Sequence, residues 1–105
     1  MSDLVRMLSQ GEHPVQVTMR PEVTLRGLQD RIARGFVHVK FTGTRGGSEL
    51  GIRLEKTACK LDADFDKGVG RVLLVGTLTL DYEQVRCFAD IDLATFAGTG
   101  HLFPG

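Results

Sequence analysis

Apolar alternation changes phase between two adjacent stretches of this chain, residues 70–82 and 83–93. In the first, Val72, Leu74, Leu78 and Leu80 hold even positions; in the second, Val85, Cys87, Ala89, Ile91 and Leu93 hold odd ones. Side chains alternate faces along a strand, so one unbroken strand would throw the second set onto the opposite side of the sheet. A turn over residues 81–84 removes the conflict, because an antiparallel hairpin pairs even positions with odd ones. The expected register sets Leu80 beside Val85, Leu78 beside Cys87, Gly76 beside Ala89, Leu74 beside Ile91 and Val72 beside Leu93.

A second hairpin follows from the same pattern. Residues 36–42 place Val37, Val39 and Phe41 on one face, and residues 48–55 return with Leu50, Ile52 and Leu54. Pairing Phe41 with Leu50, Val39 with Ile52 and Val37 with Leu54 keeps all six together. Residues 14–19 also alternate, with Val15, Val17 and Met19 on one side, and Pro14 suggests an edge strand. Two helices are expected. A short one spans residues 2–9 with Ser2 as N-cap, and the main one starts at Pro21, carries Leu28 and Ile32, and stops at Gly35. On that helix Arg26, Asp30 and Arg34 form an i, i+4 row on the solvent side. Gly27 within it suggests close packing on the sheet, over Gly76 and Ala89. Residues 56–70 read as a long connection and 94–105 as a turn with a terminal segment. The expected architecture is α+β: an antiparallel sheet of four or five strands built from two hairpins, one principal helix packed on one face. A small barrel-like roll is the competing architecture.

The chain has 105 residues, enough for one domain and one core. Thirteen basic and thirteen acidic residues cancel, and no Lys/Arg run builds the basic patch that counterion release from nucleic acid requires. A single tyrosine and no tryptophan leave few stacking platforms for single strands. Nucleic acid is therefore not an expected partner. No apolar run approaches the ~20 residues of a bilayer span, so no membrane association is expected either. The start lacks the features of a secretory signal. Cys59 and Cys87 read as free thiols in a reducing cytosol, and the cytoplasm is the expected location.

In the expected registers the face away from the helix carries Phe36, His38, Lys40, Glu49, Arg53, Glu55, Leu73, Val75, Thr77, Thr79, Arg86, Phe88, Asp90 and Asp92. Most of these are polar, but Phe36, Leu73, Val75 and Phe88 are too apolar for a wet face. Apolar groups rimmed by charge are what a partner surface presents. The plainer account is that a terminal segment covers them. The leading expectation is a non-catalytic binding or accessory protein that presents this face to another protein or to a second copy of itself. Leu73, Val75 and Phe88 would form the centre, Arg53, Arg86, Asp90 and Asp92 the rim. The second expectation is a small enzyme or enzyme subunit acting on a polar small molecule, with His38 and Asp90 or Asp92 as acid and base. The same three side chains would suit a divalent metal, although strand-borne His and Asp are ordinarily just solvated.

Other motifs are weaker. The stretch Asp62-Ala63-Asp64-Phe65-Asp66-Lys67-Gly68 spaces carboxylates like a calcium loop, but its glycine comes one place late and position twelve is Leu73. A polar turn is the simpler account. The loop from Thr42 to Ser48 offers glycines, hydroxyls and Arg45 to an acidic ligand, without the ending of a phosphate-binding P-loop. It reads first as a flexible hairpin loop, and Arg45 as its contact residue. Cys87 is expected in the core, and Cys59 beside Lys56 and Lys60 is the more reactive thiol. No motif requires a cofactor or a resident metal.

Overall fold

The computed structural model describes residues 1–104. Six strands form: β1 (His13–Thr18), β2 (Phe36–Phe41), β3 (Ser48–Leu54), β4 (Arg71–Leu80), β5 (Glu83–Asp92) and β6 (Ala97–Pro104). Each is antiparallel to its neighbours, and β6 pairs back onto β1 to close a barrel. The barrel overturns the α+β expectation. Its inward residues, among them Val39, Phe41, Ile52, Leu74, Ala89, Ile91 and Leu102, are essentially inaccessible to solvent. A closed small barrel fills its interior with its own side chains, so the apolar face expected to lie under a helix is covered by the opposite wall.

The helices are correspondingly short. α1 (Asp3–Leu8) is capped by the Ser2 hydroxyl, which accepts from the Val5 N–H at 3.1 Å, and it buries Val5 and Leu8. α2 (Leu25–Arg34) begins four residues later than expected. Thr24, not Pro21, provides the start, its hydroxyl accepting from the Gly27 N–H at 3.0 Å. Gly35 ends the helix at φ 85°, as its position promised. Leu28 and Ile32 are buried, and α2 lies against β2 while α1 lies against β6. Gly27 faces the Met19 side chain, whereas Gly76 packs against the backbone of Arg53 and the Ile52 side chain.

Both hairpins keep the expected faces but slip by two residues. Leu78 pairs with Val85 and Gly76 with Cys87; Val39 pairs with Leu50 and Phe41 with Ser48. The β4–β5 turn is tighter than expected because only Asp81 and Tyr82 make it, both left-handed at φ 50° and 64°. That handedness matches the twist of the strands it joins.

Two strands depart further from expectation. β1 is no edge, since β2 and β6 flank it on both sides. The terminal segment is a full strand, β6, which pairs with β5 from Val85–Pro104 to Asp92–Ala97. Its glycines allow the approach: a Cβ on Gly98 would sit 1.8 Å from the Asp90 carbonyl oxygen, and one on Gly100 2.6 Å from that of Phe88.

The least complete seam lies between β3 and β4. They pair only at Arg53–Thr77 and Leu54–Gly76, and beyond Thr77 they diverge around an open groove of about 520 Å³. Below the pairs, the chain after β3 takes over as the neighbour of β4. The Glu55 N–H donates to the Val75 carbonyl at 2.8 Å, and Lys60 and Leu73 exchange backbone hydrogen bonds.

Candidate functional site

Outward side chains of β4, β5 and β6 form one continuous face. Register places Thr77, Arg86 and Phe103 in one row and Val75, Phe88 and His101 in the next. The Phe88 and His101 rings stack at 5.0 Å and 15°. The Arg86 guanidinium lies over the Phe88 ring, 5.2 Å from its centre, a cation–π contact. Glu55 fixes that guanidinium along its edge: Arg86 Nε donates to Oε1 at 3.1 Å and Nη2 to Oε2 at 3.0 Å. Such forked pairing sets orientation as well as energy. Phe103, opposite Arg86, keeps 54% of its surface exposed. Beside the stack a shallow depression of about 200 Å³ is lined by Glu12, Leu73, Phe88, Asp90, Thr99 and His101. His101 Nδ1 stands 2.8 Å from Glu12 Oε1, close enough for an ion pair when the ring is protonated, but its N–H is not aligned for a hydrogen bond.

The expected centre of this face moves. Val75 is only 1% exposed. The segment carrying Cys59 covers it, with the Val75 N–H donating to Cys59 Sγ at 3.3 Å and the thiol directed to the Val75 carbonyl at 3.5 Å. Leu73 is half-buried where Lys60 bridges its backbone. Phe88 remains, joined by His101 and Phe103, which the glycines of β6 hid from a reading by alternation. Asp90 accepts from Arg71 Nε at 2.8 Å, and Asp92 lies 3.9 Å from Arg71 Nη1.

His38 is elsewhere. It projects from β2, whereas Asp90 and Asp92 project from β5, three strands away by either route around the barrel. At ~4.8 Å per strand, three steps span about 14 Å along the wall, far beyond one-water reach. The His38–aspartate acid–base pair, and the metal site built from the same residues, are not formed.

A second cleft, of about 290 Å³, surrounds His38 instead and is lined by Thr18, Met19, Arg20, Arg31, Phe36 and Glu49 as well. Its floor follows from the register: Thr18, His38 and Gly51 share one row across β1–β3. Gly51 leaves room for the rings above it, since a Cβ there would come 2.7 Å from the end of the Phe36 ring. The Phe36 and His38 rings meet edge to face at 5.1 Å. Glu49 ionises below its usual range. The Thr18 hydroxyl beside it is the largest cause, opposed by partial desolvation and assisted by the charges of His38, Arg20 and Lys40. Thr18 and Glu49 nevertheless fall outside strict hydrogen-bond geometry, leaving the buried Thr18 Oγ1 without a partner. Nothing in the sequence pattern connects Arg20, in a turn, and Arg31, on α2, with these strand residues.

The remaining candidates are structural or isolated. Arg45 is exposed in the β2–β3 loop, whose hydroxyls are engaged locally: Thr44 Oγ1 lies 2.8 Å from Ser48 Oγ and donates to the Phe41 carbonyl at 3.2 Å. The Asp64 carboxylate accepts from the Lys67 N–H at 3.0 Å and closes the turn before β4. Cys87 lies in the core, where burial pushes its thiol up to about 12. Cys59 is half-buried against Val75. Among the described residues no helix is long and apolar enough to cross a membrane. No protein-family model matches this chain, and no curated protein matches it.

Proposed function

We propose that this protein is a non-catalytic binding protein that associates through the outer face of β4–β6 with a second copy of itself. The observation that carries this reading is the Arg86–Phe88–His101 stack beside exposed Phe103. Aromatic and arginine side chains dominate interface centres, and here Glu55 holds the arginine rigid before any partner arrives. The surrounding face carries both signs of charge, in Arg71, Arg86, Asp90, Asp92 and Glu12. A face of mixed sign can complement itself across a two-fold axis, and a chain of zero formal charge meets little repulsion from its copy. Because the barrel is closed, the contact is made by side chains and not by strand addition. Two unjoined cysteines suit a reducing compartment such as the cytoplasm.

The test is the solution mass of the wild-type protein and of Phe103→Asp, measured by light scattering over a concentration series. Phe103 lies outside the core, so the variant should remain folded. A wild-type dimer that Phe103→Asp reduces to monomer supports the reading. A wild-type monomer at every concentration, or a dimer indifferent to the substitution, refutes it.

A further inference from the structure

We propose that the cleft between α2 and the outer faces of β1–β3 binds a small organic anion, its charged group held by Arg20 and Arg31 and its flat apolar part resting on Phe36. This site is on a different wall from the association face and stands independently of it.

Three observations converge there. First, Arg20 and Arg31 line one cleft, and neither forms an ion pair or a side-chain hydrogen bond among the described residues. By contrast, Arg34, Arg71 and Arg86 each meet a carboxylate at 3.0 Å or closer. Second, Thr18 Oγ1 is buried at the cleft beside the Glu49 carboxylate, yet it has no partner in aligned hydrogen-bond geometry. A buried hydroxyl without an aligned partner is costly, and an anionic ligand oxygen entering the cleft would take its O–H in better geometry than Glu49 does. Third, the cleft has an apolar wall. Phe36 is 44% exposed, held edge-on by His38 above the bare backbone of Gly51.

The charges select the ligand. Two arginines against the single carboxylate of Glu49 leave the cleft positive, with Lys40 close enough to act on Glu49 as well. Glu49 repels a second negative charge on its own side and accepts from a hydroxyl or amine there. The favoured molecule therefore carries one anionic group, a neighbouring donor and a flat ring. A volume of about 290 Å³ admits a small metabolite and no macromolecular segment of any length.

The experiment follows amide shifts of the isotope-labelled full chain during titration with phenyl phosphate, mandelate and, as the uncharged comparison, benzyl alcohol. Both anions are expected to move the amides of Thr18, Arg20, Arg31, Phe36 and His38, and the alcohol is not; the tighter anion identifies the head group. Arg20→Gln and Arg31→Gln should each weaken that binding about tenfold, the loss of one charge-assisted hydrogen bond. Lys67→Gln, exposed in the turn before β4, should leave it unchanged. Thr18→Val, which keeps the shape and removes the hydroxyl, provides a second reading if either arginine variant loses its fold. Absent shifts at millimolar probe, shifts scattered over Arg71 and Arg86 as well, equal response to the alcohol, or undiminished binding in the variants would overturn the site.

Discussion

Arginines on the two walls of this barrel live differently. On the β4–β6 wall, Arg71 is held by Asp90 and Arg86 by Glu55, so the charge is neutralised within the molecule. What the face then offers is the flat side of a guanidinium, two aromatic rings and a mixed rim. On the β1–β3 wall, Arg20, Arg31 and Arg53 have no carboxylate within ion-pair distance among the described residues. Their guanidinium donors are left without a carboxylate partner from the protein. A neutralised arginine is suited to covering and being covered; an unpaired one retains its donors for a charged ligand. Net charge conceals this division, because it counts a paired and an unpaired arginine alike.

The contrast can be broken most severely at the seam that divides the walls. A Cβ on Gly76 would meet the Arg53 carbonyl oxygen and the Ile52 side chain, both at 2.4 Å, and backbone cannot yield there. Gly76→Ala should lose about 2–3 kcal/mol of stability in urea unfolding. If it does not, β3 and β4 are less tightly joined than the register implies. A smaller effect separates the arginines themselves. Arg86→Met removes a half-exposed forked pair and a cation–π contact and should cost about 1 kcal/mol, whereas Arg31→Met should stay within about 0.5 kcal/mol of wild type. Equal losses would dissolve the distinction between paired and unpaired walls.

The smallest expected effect is a titration. Glu49 ionises below 4.5, so its folded form binds the proton less readily than the unfolded chain does. Its contribution is therefore fully present above 4.5 and is lost as pH falls through the lowered value. Thr18→Val removes the largest cause and should bring the Glu49 titration, followed by carboxyl carbon shifts, back up toward 4.5. An unmoved titration would assign the shift to the surrounding positive charges alone.

Much of the barrel was legible in its alternation, and the failures have definite causes. Inward and outward sets on β2–β5 follow directly from period two. A slip of two residues preserves that period, so the pattern could not distinguish the Gly76–Cys87 pairing found from the Gly76–Ala89 pairing expected. β6 escaped because Gly98 and Gly100 stand at positions where β5 comes too close for a side chain, which erased the apolar signal. Without β6 there was no partner for the far side of β1, and Pro14 made an edge look natural. The site suffered accordingly. Phe88, Arg86 and Asp90 do share a face, but His38 and the aspartates shared one only on an open sheet; closure carried them to opposite walls. Arg20 and Arg31 come together through a turn and a helix, which no strand periodicity encodes.

The sparse β3–β4 seam has a consequence for how the molecule breathes. Ten register pairs join β4 to β5 and eight join β5 to β6, against two between β3 and β4. If that seam opens first, five seams survive and the barrel unrolls into a sheet with β4 at one margin and β3 at the other. The chain between Leu54 and Arg71 tethers the two margins, so reclosure is a short intramolecular search. Amide exchange would then be accelerated at Arg53 and Thr77, through an excursion far cheaper than global unfolding. For the lifetime of that excursion the molecule has a bare edge on β3 and, beyond Gly76, on β4, the one form in which a closed barrel can lend a strand to its neighbour.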